Sequence, residues 1–134
     1  MIRIQNLSKR YGEKEVVSNV TLDIEKGMIT SFIGPNGAGK STLLSMISRL
    51  IDSYEGEIRI GGNSLKNWKS SELAKKISIL KQNNNLNIKL TVRELISFGR
   101  YPYSKGKPNR EDERLLDPAL SSLQLQDMED RYIS

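Results

Sequence analysis

Gly34-Pro35-Asn36-Gly37-Ala38-Gly39-Lys40-Ser41 decides the reading of this 134-residue chain. The octapeptide is a complete G-x-x-x-x-G-K-[ST] phosphate-binding loop. With glycine near 7% of average usage, its four fixed positions coincide by accident in well under about 1% of chains of this size. A triphosphate carries dense negative charge and must be held without bulky side chains in the way. Gly34, Gly37 and Gly39 are expected to let the backbone take positive φ and come close to the phosphates. The N–H groups from Gly37 to Thr42 then form an anion nest at a helix N-terminus. Lys40 supplies a mobile point charge for the β- and γ-phosphates. The Ser41 hydroxyl is a ligand for Mg2+, and Thr42 donates to an inner phosphate oxygen. Pro35, Asn36 and Ala38 complete the nucleotide-binding stretch. A Gly-rich turn that merely joins a strand to a helix explains the glycines but not Lys40-Ser41-Thr42.

The flanks fit a strand–loop–helix setting, and an α/β fold follows. Met28-Ile29-Thr30-Ser31-Phe32-Ile33 is short and mostly apolar, which predicts a strand buried on both faces. After the loop, Leu43, Ile47, Leu50 and Ile51 fall at i, i+4, i+7 and i+8, one stripe of a helix packed on the sheet. Upstream, Ile2, Ile4 and Leu7 open a strand, Tyr11-Gly12-Glu13-Lys14 turns, and Val20-Thr21-Leu22-Asp23-Ile24 alternates as a half-exposed strand. Two antiparallel strands therefore precede the phosphate strand, and a mixed sheet is predicted.

Downstream, Glu57-Ile58-Arg59-Ile60 is a further short strand closed by Gly61-Gly62. A short helix capped by Ser70 or Ser71 runs to Lys76, and Ile77-Ser78-Ile79-Leu80 reads as a buried strand. Gln82-Asn83-Asn84-Asn85 is too polar to be regular. Thr91-Val92-Arg93-Glu94 is a capping box, predicting a helix to about Phe98 that stops at Gly99. A loop is expected through Tyr103 and Pro108. Asn109 caps a last helix with Leu115, Leu116, Ala119, Leu120 and Leu123 on its apolar side. Pro118 predicts a kink or break near Asp117, because it deletes one hydrogen bond and clashes one turn back.

Composition narrows the functional classes. The net charge is +5, but Lys and Arg are scattered among Glu and Asp, so solvated surface explains the charge and no nucleic-acid partner is expected. Zero cysteines exclude disulfides and thiolate metal sites. Zero histidines exclude an imidazole base or proton shuttle within these residues. No run approaches the roughly 18 apolar residues of a membrane span.

Together these motifs resemble the ATP-binding cassette of ABC transporters, over essentially the whole chain. The loop with Gly-Pro-Asn-Gly-Ala-Gly-Lys-Ser-Thr-Leu-Leu is the form such cassettes use. Tyr11 sits where they place an aromatic that stacks on adenine; packing against the turn is its plain alternative. Gln82 sits where they carry a glutamine whose carbonyl reaches Mg2+ or the attacking water; otherwise it is one more surface amide. Thr91-Val92-Arg93-Glu94-Leu95 and Phe98-Gly99-Arg100-Tyr101-Pro102-Tyr103 are similar to the subgroup serving iron–siderophore, haem and cobalamin importers. Trp68 reads as a packing residue. Tyr101 and Tyr103 are either exposed loop aromatics or contacts for a membrane partner.

The resemblance implies a phosphate-loop NTPase fold of the ABC type. It divides into a nucleotide-binding core and antiparallel β subdomain at about 1–85, and the start of a helical subdomain at about 86–134. It implies ATP and Mg2+ as ligands, with Lys40 and Gln82 as supporting rather than catalytic residues and with Ser41 and Gln82 at the metal. It also implies transmembrane permease subunits and a second ATPase subunit as partners, at the cytoplasmic face of the membrane. The cassettes continue with a Leu-Ser-Gly-Gly-Gln signature, a second acidic motif, a catalytic Glu and a switch His, none of which is in this sequence. The expectation is therefore a truncated cassette whose parent is an ABC importer ATPase for an iron chelate, and which alone is inactive. The alternatives are a soluble ABC ATPase acting on ribosomes or DNA, and a non-catalytic nucleotide-binding fragment.

Overall fold

The structure is a computed structural model that describes residues 1–80 and 89–133. Gln82 and the asparagines after it lie outside the described residues. The chain divides into two compact units, Met1–Leu73 and Ala74–Ser134.

The first unit is built on a four-stranded antiparallel sheet. Strands β1 (Ile2–Tyr11) and β2 (Lys14–Ile24) pair antiparallel from Ile2↔Ile24 to Tyr11↔Lys14. On the other edge of β1 lies β3 (Glu55–Ile60), also antiparallel, followed by the two-residue β4 (Asn63–Ser64), in the order β2-β1-β3-β4. Three irregularities interrupt the β1–β2 ladder, and two of them fall at Asn6 and Asn19, which take φ of 49° and 43°. Asparagine tolerates this region better than most residues. The backbone N–H groups freed there are recovered by side chains: Asn6 donates to Thr21 Oγ1 at 2.9 Å and Asn19 to Ser8 Oγ at 2.8 Å.

Helix α1 (Lys40–Ile47) contributes Leu43, Met46 and Ile47 to the core, alongside Ile4, Leu7, Val17, Ile58 and Leu65. Full burial of side chains such as Ile4, Leu7 and Met46 contributes roughly 1.5–3 kcal/mol each. The predicted stripe is corrected at its end. The helix stops at Ile47, and Leu50 is exposed. Arg49 takes φ of 58°, with Arg49 N–H donating to Met46 O and Leu50 N–H to Ser45 O, a Schellman closure. A non-glycine residue holds the left-handed position because its side chain is tied down. The Arg49 guanidinium donates to Trp68 O at 2.6 Å, Leu65 O at 3.4 Å and Ser70 Oγ at 2.7 Å. A short helix α2 (Ser70–Leu73) closes the unit.

The second unit pairs two two-residue strands, β5 (Leu90–Thr91) and β6 (Tyr132–Ile133), antiparallel. Thr91 caps α3 (Val92–Ser97) with the predicted box: its hydroxyl accepts from Glu94 N–H, and Glu94 Oε2 accepts from Thr91 N–H at 2.8 Å. Asn109 caps α5 (Arg110–Ser122) in the same way with Asp112. Leu116 and Leu120 are the buried residues of its apolar face, whereas Leu115 and Leu123 are exposed.

Four further expectations are corrected. Met28–Ile33 pairs with no strand among the described residues, and Ile29 and Ile33 are 98% and 96% exposed. Ile77–Leu80 is likewise unpaired, with Leu80 exposed. An apolar run becomes a strand only when long-range partners complete its ladder, and no partner is found among the described residues. The loop expected through Tyr103 contains α4 (Tyr101–Ser104), because Pro102 sits in the first turn, where its missing N–H costs nothing. Helix α5 passes Pro118 without a break: two capped N–H groups at its start and buried Leu116 and Leu120 outweigh one lost hydrogen bond.

Candidate nucleotide site

The loop lies wholly in the first unit. Gly37 and Gly39 both take φ of +84°, as expected, whereas Gly34, expected to do the same, does not take a positive φ. Leu43 N–H to Gly39 O, at 2.8 Å, is the first bond of α1. The N–H groups of Gly37, Gly39, Lys40, Ser41 and Thr42 find no acceptor among the described residues, and α1 has no side-chain cap. Five N–H groups without an internal acceptor thus lie in the loop and first turn of α1, where the helix dipole is positive. Lys40 Nζ folds back over the same loop and donates to Gly34 O and Pro35 O, each at 2.7 Å. The Ser41 and Thr42 hydroxyls make no hydrogen bond within the described residues.

The register of the sheet sets Tyr11 on the side of the loop. A Cβ at Gly39 would stand 2.4 Å from Val16 O and 3.2 Å from Val17 Cγ2, so the loop rests directly on β2. Val17 is the cross-strand partner of Lys9, and directly opposed residues share a face. Tyr11 follows Lys9 by two residues and so lies on that face as well. The structure thus puts Gly34–Thr42, Lys9 and Tyr11 on one side of the sheet. The Tyr11 ring is half exposed at the end of β1, with Lys9 Nζ 4.9 Å from its centroid. Lys9 was missed by motif reading; the available signal was its position two residues before the aromatic.

The second unit offers a different kind of concavity. A groove of about 900 Å³ is lined by residues of α3 and α5, including Arg93, Asp112 and Asp117, and by Arg100 between them. Its charges are largely spent on each other. Arg100 Nε donates to Asp112 Oδ1 at 2.6 Å, and Arg93 reaches Glu129 at 2.5 Å and Asp117 at 3.2 Å. The hydrogen bond from Arg100 holds the Asp112 carboxyl below the ordinary carboxylate range, against the effect of burial. Paired charges of both signs make no anion cradle, so the loop remains the stronger site. Among the described residues no cluster of three His, Cys, Asp or Glu is placed to hold a metal. No described helix is long and apolar enough to cross a membrane.

A five-donor nest on a helix N-terminus, preceded by glycines at positive φ and followed by Lys-Ser-Thr, defines the phosphate-loop class of nucleotide-binding fold. The chain belongs to the ABC transporter family, whose sequence pattern matches residues 17–134. It is 53% identical over 133 residues to the petrobactin import ATP-binding protein YclP of Bacillus subtilis (strain 168), covering 99% of this chain and 53% of that protein. It is 45% identical over 133 residues to the petrobactin import ATP-binding protein FatE of Bacillus anthracis, with the same coverage of 99% and 53%. Among solved structures, the ATP-binding subunit of an ABC transporter superposes with a TM-score of 0.81 at 27% identity, covering 98% of this chain and 53% of that one. A dimeric ATP-binding cassette in a post-hydrolysis state, bound to ADP and Pi, superposes with a TM-score of 0.78 at 28% identity, covering 98% and 61%. The chain spans about half the length of the curated relatives it matches.

Proposed function

We propose that this chain is the nucleotide-gripping part of an ATP-binding and ATP-hydrolysing subunit of an ABC importer for an iron–siderophore, petrobactin or a related metal chelate. The five N–H groups that find no acceptor among the described residues, in the loop onto which Lys40 folds, carry this reading. Such a nest suits the β- and γ-phosphates of ATP, which Lys40 reaches by exchanging the Gly34 and Pro35 carbonyls for phosphate oxygens. Pro35, Asn36 and Ala38 contribute the span of the loop, and Tyr11 stacks on the adenine. Bound Mg2+ neutralises phosphate charge; the unengaged Ser41 hydroxyl is its protein ligand here, with the Gln82 carbonyl as a second. The absence of a described acidic cluster fits a metal that arrives with the nucleotide rather than one held by protein alone.

The importer assignment is supported by the 53% and 45% identical relatives, both named for petrobactin import. In that reading residues 1–85 form the nucleotide core with its β subdomain, and residues 86–134 open a helical subdomain. The partners are transmembrane permease subunits and a second ATPase subunit, and the site of action is the cytoplasmic face of the membrane. The 134 residues hold no histidine, signature sequence or catalytic glutamate of the family pattern, so alone they bind ATP weakly and do not turn it over.

Titration of the chain with Mg-ATP, followed by amide NMR, tests the grip. The Gly37–Thr42 amides should shift in wild type, and Lys40→Ala should weaken binding at least tenfold. Unmoved loop amides, or an unchanged affinity in Lys40→Ala, would reject the site. Steady phosphate release that Lys40→Ala abolishes would reject the inactivity of the chain. Petrobactin-dependent iron uptake restored by the gene in a strain lacking its own import ATPase would support the importer reading, and restoration only of translation or DNA repair would reject it.

A further inference from the structure

Lys9 is an unusual residue to find inside the first unit. Only 8% of it is exposed, and among the described residues no carboxylate lies within ion-pair distance. A buried ammonium is costly unless its donors are used and its charge is answered. Two donors go to one residue, Ser53, whose carbonyl and hydroxyl accept at 2.5 and 2.6 Å. The charge is answered by the Tyr11 ring, whose centroid is 4.9 Å away. A cation placed over a ring occupies one of its faces, and the Tyr11 residue as a whole is 51% exposed.

We propose that Lys9 is a positioning residue for nucleotide binding: pinned to Ser53, it covers one face of the Tyr11 ring, fixes the ring's orientation, and leaves the opposite face as the platform for the base. The proposal rests on Tyr11 being the stacking residue. Its physical content is pre-organisation. Tyr11 stands at the end of β1 beside the two-residue turn Gly12-Glu13, where a half-exposed side chain otherwise samples several rotamers. Ordering it before the ligand arrives removes part of the entropy that binding must overcome. Because Ser53 lies in the connection between α1 and β3, the same contact ties the ring's position to the segment that follows the phosphate-loop helix. Lys9 touches no phosphate in this scheme, so its influence reaches the ligand through the base alone.

That last point supplies the test. Affinities of the 134-residue chain for Mg-ATP and for Mg-tripolyphosphate are measured by NMR titration in wild type, Lys9→Met, Tyr11→Ala and the double variant. Lys9→Met should weaken ATP about 3–10-fold, leave tripolyphosphate unchanged, and add nothing in the Tyr11→Ala background. Equal losses for ATP and tripolyphosphate, or an undiminished loss in the Tyr11→Ala background, would overturn the proposal. Tyr11→Ala with unchanged ATP affinity would instead overturn the stacking assignment on which it rests. Should Lys9→Met fail to fold, Ser53→Ala keeps the ammonium and removes one of its two anchors. A loss of about twofold for ATP and none for tripolyphosphate then supports the positioning role, and an unchanged ATP to tripolyphosphate ratio refutes it.

Discussion

Replacing Gly39 by alanine separates two costs that glycine-rich loops usually confound. Gly37 and Gly39 share a φ of +84°, so any L-residue at either position adopts a left-handed backbone. That alone costs about 1–2 kcal/mol. Around Gly37 an added Cβ meets nothing within 4 Å, so the conformational cost is the whole cost. At Gly39 the added Cβ would stand 2.4 Å from Val16 O, a backbone atom of β2 at the irregularity between the Val17 and Glu15 pairs, and 3.2 Å from Val17 Cγ2. Neither can swing aside as a flexible side chain would. Either β2 or the start of α1 must move by several tenths of an ångström, and overpacking of this kind adds roughly 1–3 kcal/mol. Gly37→Ala should therefore cost about 1–2 kcal/mol and Gly39→Ala about 2–5 kcal/mol in nucleotide-free protein. Urea unfolding followed by far-ultraviolet circular dichroism measures both, with unchanged m-values confirming that the unfolded state is not the source. Equal destabilisation by the two substitutions would refute the claim that the loop rests against β2.

Three further outcomes follow from the second unit. Asp112 titrates below the usual carboxylate range because Arg100 hydrogen-bonds its charged form. Its contribution to stability is thus complete above the unfolded value of about 4 and is lost as pH falls through the lower folded value. Asp112→Asn should flatten the acid limb of a urea-midpoint against pH curve, and parallel curves for wild type and variant would contradict this. Pro118→Ala restores a donor inside α5 and should stabilise by about 1–3 kcal/mol, read as a raised melting temperature; a lowered one would mean the ring is packed rather than merely tolerated. Thr91→Ala removes the hydroxyl of the α3 capping box and should cost about 0.5–2 kcal/mol, with Thr91→Ser recovering most of it in the same melting experiment.

What was legible in the sequence was local. The turn at Gly12-Glu13, the caps at Thr91 and Asn109, and the Lys40 start of α1 depend on neighbours within four residues. The motif letters therefore suffice for them. The α4 turn, read as loop, was legible too, had Pro102 been taken as a helix starter. What was not legible was whatever depends on distant partners. Met28–Ile33 has the composition of a buried strand, yet apolar alternation cannot say whether a ladder partner is present. The left-handed Arg49 is explained only by carbonyls at Leu65 and Trp68, sixteen and nineteen residues away. Lys9 belongs to the same class: the charge looks like ordinary surface until Ser53, forty-four residues on, is placed against it. At the site itself, the Gly/Lys/Ser pattern foretold the positive φ of Gly37 and Gly39, which Gly34 does not share, and the shared face of Tyr11 and Gly39 emerged only from strand register.

The Arg49 tether also makes this chain its own optical reporter. Trp68 is the sole tryptophan, its buried indole N–H has no partner among the described residues, and its carbonyl is held by the guanidinium that closes α1. A rotation of that helix as its N-terminus gains an anion would be passed through the hydrogen-bonded Arg49 side chain to the backbone of the fluorophore. Emission excited at the indole band should then follow loop occupancy in unlabelled protein, and Arg49→Lys, which cannot span the same three acceptors, should uncouple the light from the ligand.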